Sequence, residues 1–174
     1  MNEPDPPDTV LAVRCQLGDT DAWEILVRRW HPRLWRFIAR MLSDRTAVED
    51  VLQSVWLRVV RTLVQLREPE KLTAWLYGIA RRTVADWLRK HYRYPPADEV
   101  GEIPDWDRGI EMLIAVDSVE MGLGRLHPSD REAVVLHYLE ELPVAEVAEI
   151  CGVPPGTIKS RLHRARRVIH STLN

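Results

Sequence analysis

Five cations, Lys159, Arg161, Arg164, Arg166 and Arg167, stand between Pro155 and Asn174 with no acid among them. The whole chain has a formal charge of −2, so the bulk composition hides this local concentration. At 100° per residue, Ile158, Leu162, Ala165 and Ile169 share one side of a helix. The opposite side then presents Ser160, His163, Arg164 and Arg167, with Lys159 and Arg166 on a flank. Arginine binds guanine edges through two hydrogen bonds, and serine bonds to bases or phosphates. The first turn, near Gly156 and Thr157, leaves backbone amides that suit a phosphate. Gly152, Val153 and Pro154 form a helix-breaking turn just before it, and a short amphipathic segment precedes the turn. Helix, turn and basic helix make the pattern of a helix-turn-helix that reads duplex DNA. A solvated basic face is the plainer alternative, and cations near a helix C-terminus favour the dipole. That explains Arg166 and Arg167 but not Lys159, nor the missing acids.

A second group of cations is mixed with rings. Arg81, Arg82, Arg89, Lys90 and Arg93 outnumber the lone Asp86, and Trp75, Tyr77, Trp87, Tyr92 and Tyr94 lie among them. Freed bases stack on aromatic faces while cations follow the phosphates. Leu76, Ile79, Ala80 and Leu88 read simply as core, and Trp75 reads equally as core or as a nucleic-acid contact. A third segment, from Val55 to Leu66, is apolar around most of a helix. Val48, Val51, Leu52, Val55, Val59 and Leu63 form its inner stripe, leaving Trp56, Leu57, Val60 and Val64 on other sides. Either that helix is central in a bundle, or its outer face docks a partner. Asp50 and Gln53 share its exposed side.

The elements that must position these residues are all helical. Apolar residues recur at three and four positions from about Thr9 to Arg93, and no period-2 alternation is long enough for a sheet. Pro32 restarts a helix; Thr46 to Glu49 and Ser129 to Glu132 have capping-box spacing. Pro143 suits the first turn of the helix lined by Val144, Val147, Ala148 and Cys151. The prediction is an all-α chain of two small domains, 9–93 and 118–174, joined by an acidic linker over 94–117. The linker holds Asp98, Glu99, Glu102, Asp105, Asp107 and Glu111, and Pro95, Pro96, Gly101, Pro104 and Gly109 interrupt it. A helical turn is expected at Ile110 to Val116. Extended at ~3.3 Å per residue, this stretch reaches about 75 Å.

With 174 residues, 45% hydrophobic and 29% charged, the chain suits folded domains rather than disorder. Cys15 and Cys151 suit buried thiols better than a disulfide framework. Six histidines show no metal-ligand spacing, and no phosphate loop or nucleophile motif appears. No enzyme activity, metal or cofactor is expected. The acidic, proline-rich start is unlike a targeting peptide, and no apolar run nears the ~20 residues of a membrane span. A cytoplasmic protein is expected.

The run Gly156-Thr-Ile-Lys-Ser-Arg-Leu-His-Arg-Ala-Arg166 closely resembles the signature of bacterial RNA polymerase sigma factors of the extracytoplasmic-function type. Leu126 to Arg131 resembles the entry to their second domain. Ala47 to Trp56 resembles their polymerase-binding helix, Trp75 to Arg81 their promoter-melting helix, and Ala22 to Arg33 their opening helices. The likeness covers nearly the whole chain in the right order. It implies that Asp50, Gln53, Trp56 and Leu57 bind the clamp helices of core RNA polymerase. It implies that the helix carrying Trp75, Tyr77, Arg81, Arg82, Arg89 and Lys90 captures the opened non-template strand of the minus-ten element. It implies that Lys159, Ser160, His163 and Arg164 read the minus-thirty-five element, beside Thr157 and Arg167 from the geometric reading. An anti-sigma partner is implied too. Arg82 departs from the family, which often has Asn there. The competing expectation is an autonomous helix-turn-helix regulator that binds an operator as a dimer.

Overall fold

The computed structural model describes residues 5–42, 44–91 and 123–173. The expected linker, with its helical turn at Ile110 to Val116, lies outside them. Contacts divide the chain into two compact units, Met1–Arg93 and Tyr94–Asn174. Among the described residues every regular element is helical.

The first unit contains α1 (Asp8–Gln16), α2 (Thr20–Met41), α3 (Thr46–Thr62) and α4 (Leu72–His91). Two 3-10 turns, Leu63–Gln65 and Pro69–Lys71, join α3 to α4. Asp19 caps α2, accepting from the Ala22 amide at 3.1 Å, and Arg14 donates to its other oxygen at 2.8 Å. The core is apolar stripes meeting: Leu11 from α1, Leu26, Leu34 and Ile38 from α2, Val51, Leu52, Val55 and Val59 from α3, and Leu76 and Ile79 from α4. At its centre Tyr77 sits edge-on to Trp30 and Phe37, with ring centroids 5.7 and 5.5 Å away. Such contacts add to the large apolar area each ring removes from water. Gln16 reaches across from α1, donating to the Leu63 and Leu66 carbonyls at 3.0 and 2.7 Å. That bond satisfies the turn where the α3 ladder ends.

Three local expectations are corrected. Pro32 does not restart a helix, because α2 runs through it. The proline is exposed, so the Arg28 carbonyl that loses its amide partner can be taken by water instead. The Thr46–Glu49 box does not form. Asp44 accepts from the Thr46 amide at 2.9 Å and its hydroxyl at 2.7 Å, while Glu49 accepts from Trp35 Nε1 at 2.7 Å. The Ser129–Glu132 box does not form either. His127 accepts from the Ser129 amide, and Glu132 is buried, accepting a weak bond from the Cys151 thiol at 3.5 Å.

The second unit contains α5 (Pro128–Val134), a π-helical continuation over Val135–Leu139, α6 (Val144–Cys151) and α7 (Pro155–Leu173). Pro143 falls one residue before α6, as its cap. Gly152 ends that helix at φ 67°, a left-handed conformation that costs other residues ~1–2 kcal/mol. The Val153 amide then donates back to the Ala148 carbonyl at 3.1 Å, closing the helix and turning the chain into α7. Ile158, Leu162, Ala165 and Ile169 are buried, as the helical angle predicted, and α7 packs on both α5 and α6.

Neither cysteine is in a disulfide, and both are buried. Burial pushes the Cys15 thiol up to about 11, which keeps it protonated and unreactive. None of the described helices is long and apolar enough to cross a membrane.

Arg58 of α3 donates to Asp86 of α4 at 2.9 Å, and Arg89 bonds the other carboxylate oxygen. The hydrogen bond from Arg58 holds the Asp86 carboxyl below its usual range against the opposing desolvation, aided by the charge of Arg58 and then by the hydrogen bond and charge of Arg89. A depressed folded pKa stabilises the protein above the unfolded value, about 3.9. That stabilisation is lost as pH falls through the lower folded value. Both side chains are nearly half exposed, so the pair contributes about 0.5 kcal/mol or less. Arg58→Ala is expected to move the Asp86 titration midpoint up, read by carboxyl NMR; an unmoved midpoint would contradict the pairing. Phe37→Ala should cost ~3–5 kcal/mol in urea unfolding followed by tryptophan fluorescence. Six of the seven tryptophans lie between Trp23 and Trp87, so this signal reports the first unit.

Candidate nucleic-acid and polymerase interface

The basic helix α7 owes its geometry to its apolar side. Burial of Ile158, Leu162, Ala165 and Ile169 fixes its rotation, and Lys159, Arg167 and His170 emerge exposed with His163 and Arg166 partly so. This outward centre is turned toward Lys159 from the side the helical wheel predicts. Ser160 is corrected accordingly. It is 6% exposed and its hydroxyl donates to the Gly156 carbonyl at 3.0 Å, leaving little for a base. Arg161 is also buried and does not belong to the positive surface. The Thr157 amide is taken by the Pro154 carbonyl at 2.9 Å, so it is not spare for a phosphate; the Thr157 side chain remains partly exposed.

Arg164 has a partner that the sequence did not suggest. Its Nε donates to Asp130 Oδ2 at 3.1 Å and its Nη2 to Oδ1 at 2.7 Å. Asp130 comes from α5, and its side chain is 7% exposed against 40% for Arg164. Arg166 donates through Nε to the Tyr138 hydroxyl at 3.2 Å, which ties the π-helical segment to α7.

On α4 the predicted residues separate. Tyr77 is fully buried in the aromatic cluster, so the expectation that it faces DNA is corrected: its ring is core. Its neighbours could not reveal this, because an aromatic residue between cations fits either role. Trp75 and Arg81 are partly exposed, whereas Arg82, Arg89 and Lys90 are exposed. The Arg82 guanidinium lies back along the helix, 3.5 Å from where a side chain at Gly78 would begin. Trp87 stacks on His91 with centroids 4.2 Å apart and 19° between planes. Asp86 engages Arg58 and Arg89, which lowers the net positive charge at that end.

On α3 the outer side is left uncovered by the other described helices of the first unit. Asp50 and Gln53 are exposed, and Leu57 and Val60 follow on the same side, exposed by 52 and 60%; Val64, in the 3-10 turn that follows α3, is 69% exposed. The spacing of three, four and three residues from Asp50 to Val60 makes one ridge, polar at its start and apolar at its end, and Val64 lies just beyond it. Trp56 is not on its crest. It is partly buried, with its ring parallel to His31 of α2 at 6.4 Å. Among the described residues, no group of three or more His, Cys, Asp or Glu could hold a metal ion.

Residues 26–94 match the family described as Sigma-70 region 2, and residues 117–169 match Sigma-70 region 4. The ECF RNA polymerase sigma factor SigC of Mycobacterium tuberculosis is 35% identical over 165 residues, covering 91% of this chain and 86% of that protein. The RNA polymerase sigma factor CarQ of Myxococcus xanthus is 32% identical over 164 residues, covering 90% and 91%. The fold matches CnrH, solved in complex with the cytosolic domain of CnrY, at a TM-score of 0.74 and 23% identity over 95% of this chain and 96% of that one. It matches the sigma factor RpoE of Bartonella quintana, solved with the anti-sigma factor NepR, at 0.70 and 23% identity over 87% and 96%. The family is not an enzyme class. Two sigma-70 regions in order, on helices whose exposed faces carry the cations and the ridge described, place this chain among the extracytoplasmic-function RNA polymerase sigma factors.

Proposed function

We propose that this sigma factor assigns its three exposed faces to three separate tasks. The ridge of Asp50, Gln53, Leu57 and Val60, with Val64 just beyond it, docks core RNA polymerase. The exposed cations Arg82, Arg89 and Lys90, beside the edge of Trp75, hold the opened strand of the minus-ten element. Lys159, His163, Arg164 and Arg167 on α7 read the minus-thirty-five duplex. The protein works in the cytoplasm, and an anti-sigma protein that covers one of these faces would silence it.

The observation that carries this reading is the ridge. Leu57 and Val60, on a helix whose other side already fills the core, and Val64, in the turn that follows it, are each more than half exposed. Apolar area clustered on one exposed line favours a protein partner, and the polar start at Asp50 and Gln53 supplies the rim that such interfaces need. A nucleic acid would select cations there instead. The α7 face has the opposite composition, with cations and a histidine and little aliphatic surface, as a duplex reader requires.

Leu57→Asp combined with Val60→Asp is expected to weaken binding to bacterial core polymerase by at least ~2 kcal/mol, about thirtyfold. Both residues are more than half exposed, so the melting temperature should fall far less than in Phe37→Ala. Binding measured by fluorescence anisotropy at wild-type strength would overturn the docking face. On the DNA side, Lys159→Ala should lower the salt slope of promoter-duplex binding by about 1. An unchanged slope would remove Lys159 from the phosphate contacts.

A further inference from the structure

Asp130 is an unexpected residue to find against a DNA-reading helix, since a carboxylate repels phosphate. It belongs to α5 and is almost wholly buried, yet both of its oxygens face one side chain, Arg164 of α7. The bond pattern decides what remains. A guanidinium has one side edge, formed by Nε and Nη2, and one end edge, formed by Nη1 and Nη2. Asp130 occupies the side edge, at 3.1 and 2.7 Å. The end edge points away from the carboxylate, and 40% of the arginine side chain is exposed. Two parallel N–H donors on that edge match the O6 and N7 acceptors of guanine.

We propose that Asp130 is the positioning residue that makes Arg164 a base reader rather than a phosphate clamp. This rests on the proposed role of α7 in reading the minus-thirty-five duplex. The carboxylate acts in two ways. It fixes a long, flexible side chain before DNA arrives, so less freedom is lost when the bond to the base forms. It also balances the guanidinium charge. A cation paired in this way releases few counterions on binding and adds little to sequence-independent attraction. Arg164 then contributes to selectivity at one base pair, while Lys159 and Arg167 supply general attraction.

The test uses the full chain bound to core polymerase and a promoter duplex library randomised across the upstream element. Bound sequences are counted, and the salt dependence of binding is measured on the preferred duplex. Asp130→Ala and the isosteric Asp130→Asn are compared with Arg164→Ala. Asparagine keeps the shape and one acceptor but loses the charge and the second acceptor, so it tests the pairing if alanine unfolds the domain. Both Asp130 variants are expected to lower discrimination at one base pair by about tenfold and to steepen the salt slope by roughly 0.9, one additional phosphate contact. Arg164→Ala should lower discrimination at the same base pair without steepening the slope. A merely structural role for Asp130 would leave the slope unchanged and reduce binding to all sequences alike. If the Asp130 variants keep wild-type selectivity and slope while Arg164→Ala alters selectivity, the positioning role is overturned and the reading of α7 stands. If Arg164→Ala alters nothing, Arg164 is not a reader, and both ideas fall.

Discussion

Burial of one apolar stripe determines what the basic helix can show. Ile158, Leu162, Ala165 and Ile169 are at most 7% exposed, and each buried aliphatic side chain is worth roughly 1.5–3 kcal/mol against leaving it in water. Rotating α7 by a third of a turn would forfeit most of that stabilisation. The outward row of Lys159, His163 and Arg167 is therefore imposed by the core behind it. Gly152 depends on the same constraint from the other side, because only a left-handed residue lets α6 stop and α7 cross it at once. The surface proposed to face DNA needs no separate device to hold it outward.

In the first unit, a helix with apolar residues on two sides has one side to spend on the core. The α3 stripe of Val48, Val51, Leu52, Val55 and Val59 is sealed against α2 and α4. The surplus on the outer side stays in water at a standing cost that a partner would remove. Acid–base pairs shape both units in a related way. Asp86 draws in Arg58 and Arg89, and Asp130 draws in Arg164. Each carboxylate subtracts charge from a basic face and fixes where the remaining donors point. The number of cations in the sequence therefore overstates the positive field of both α4 and α7.

Helix positions and inner faces were legible because burial repeats with the helical period, as in Ile158 to Ile169. The signature around Gly156 to Arg166 made the family legible as well. Features set by one helix crossing another were not. Tyr77 lies between cations in sequence, but its ring is enclosed by Trp30 and Phe37 of a different helix. Ser160 looks outward on a helical wheel until α7 packs against α5 and α6. The Asp130–Arg164 pair spans 34 residues, and no local pattern marks it. Both capping boxes had the right spacing and lost to nearer or better acceptors, Asp44 and His127. Pro32 was misleading because an exposed helix surface tolerates a missing amide that a buried one would not.

The central claim is that exposed residues of the two units meet different macromolecules in one initiation complex. The most direct measurement is site-specific photo-crosslinking of the assembled complex of full-length chain, core polymerase and promoter DNA. One photoreactive residue is placed at Leu57 and, in a second preparation, at Lys159. The account predicts that position 57 crosslinks to a polymerase subunit and not to DNA, while position 159 crosslinks to duplex upstream of the transcription start. Crosslinks from position 57 to a second copy of this chain, with none to polymerase, would contradict it.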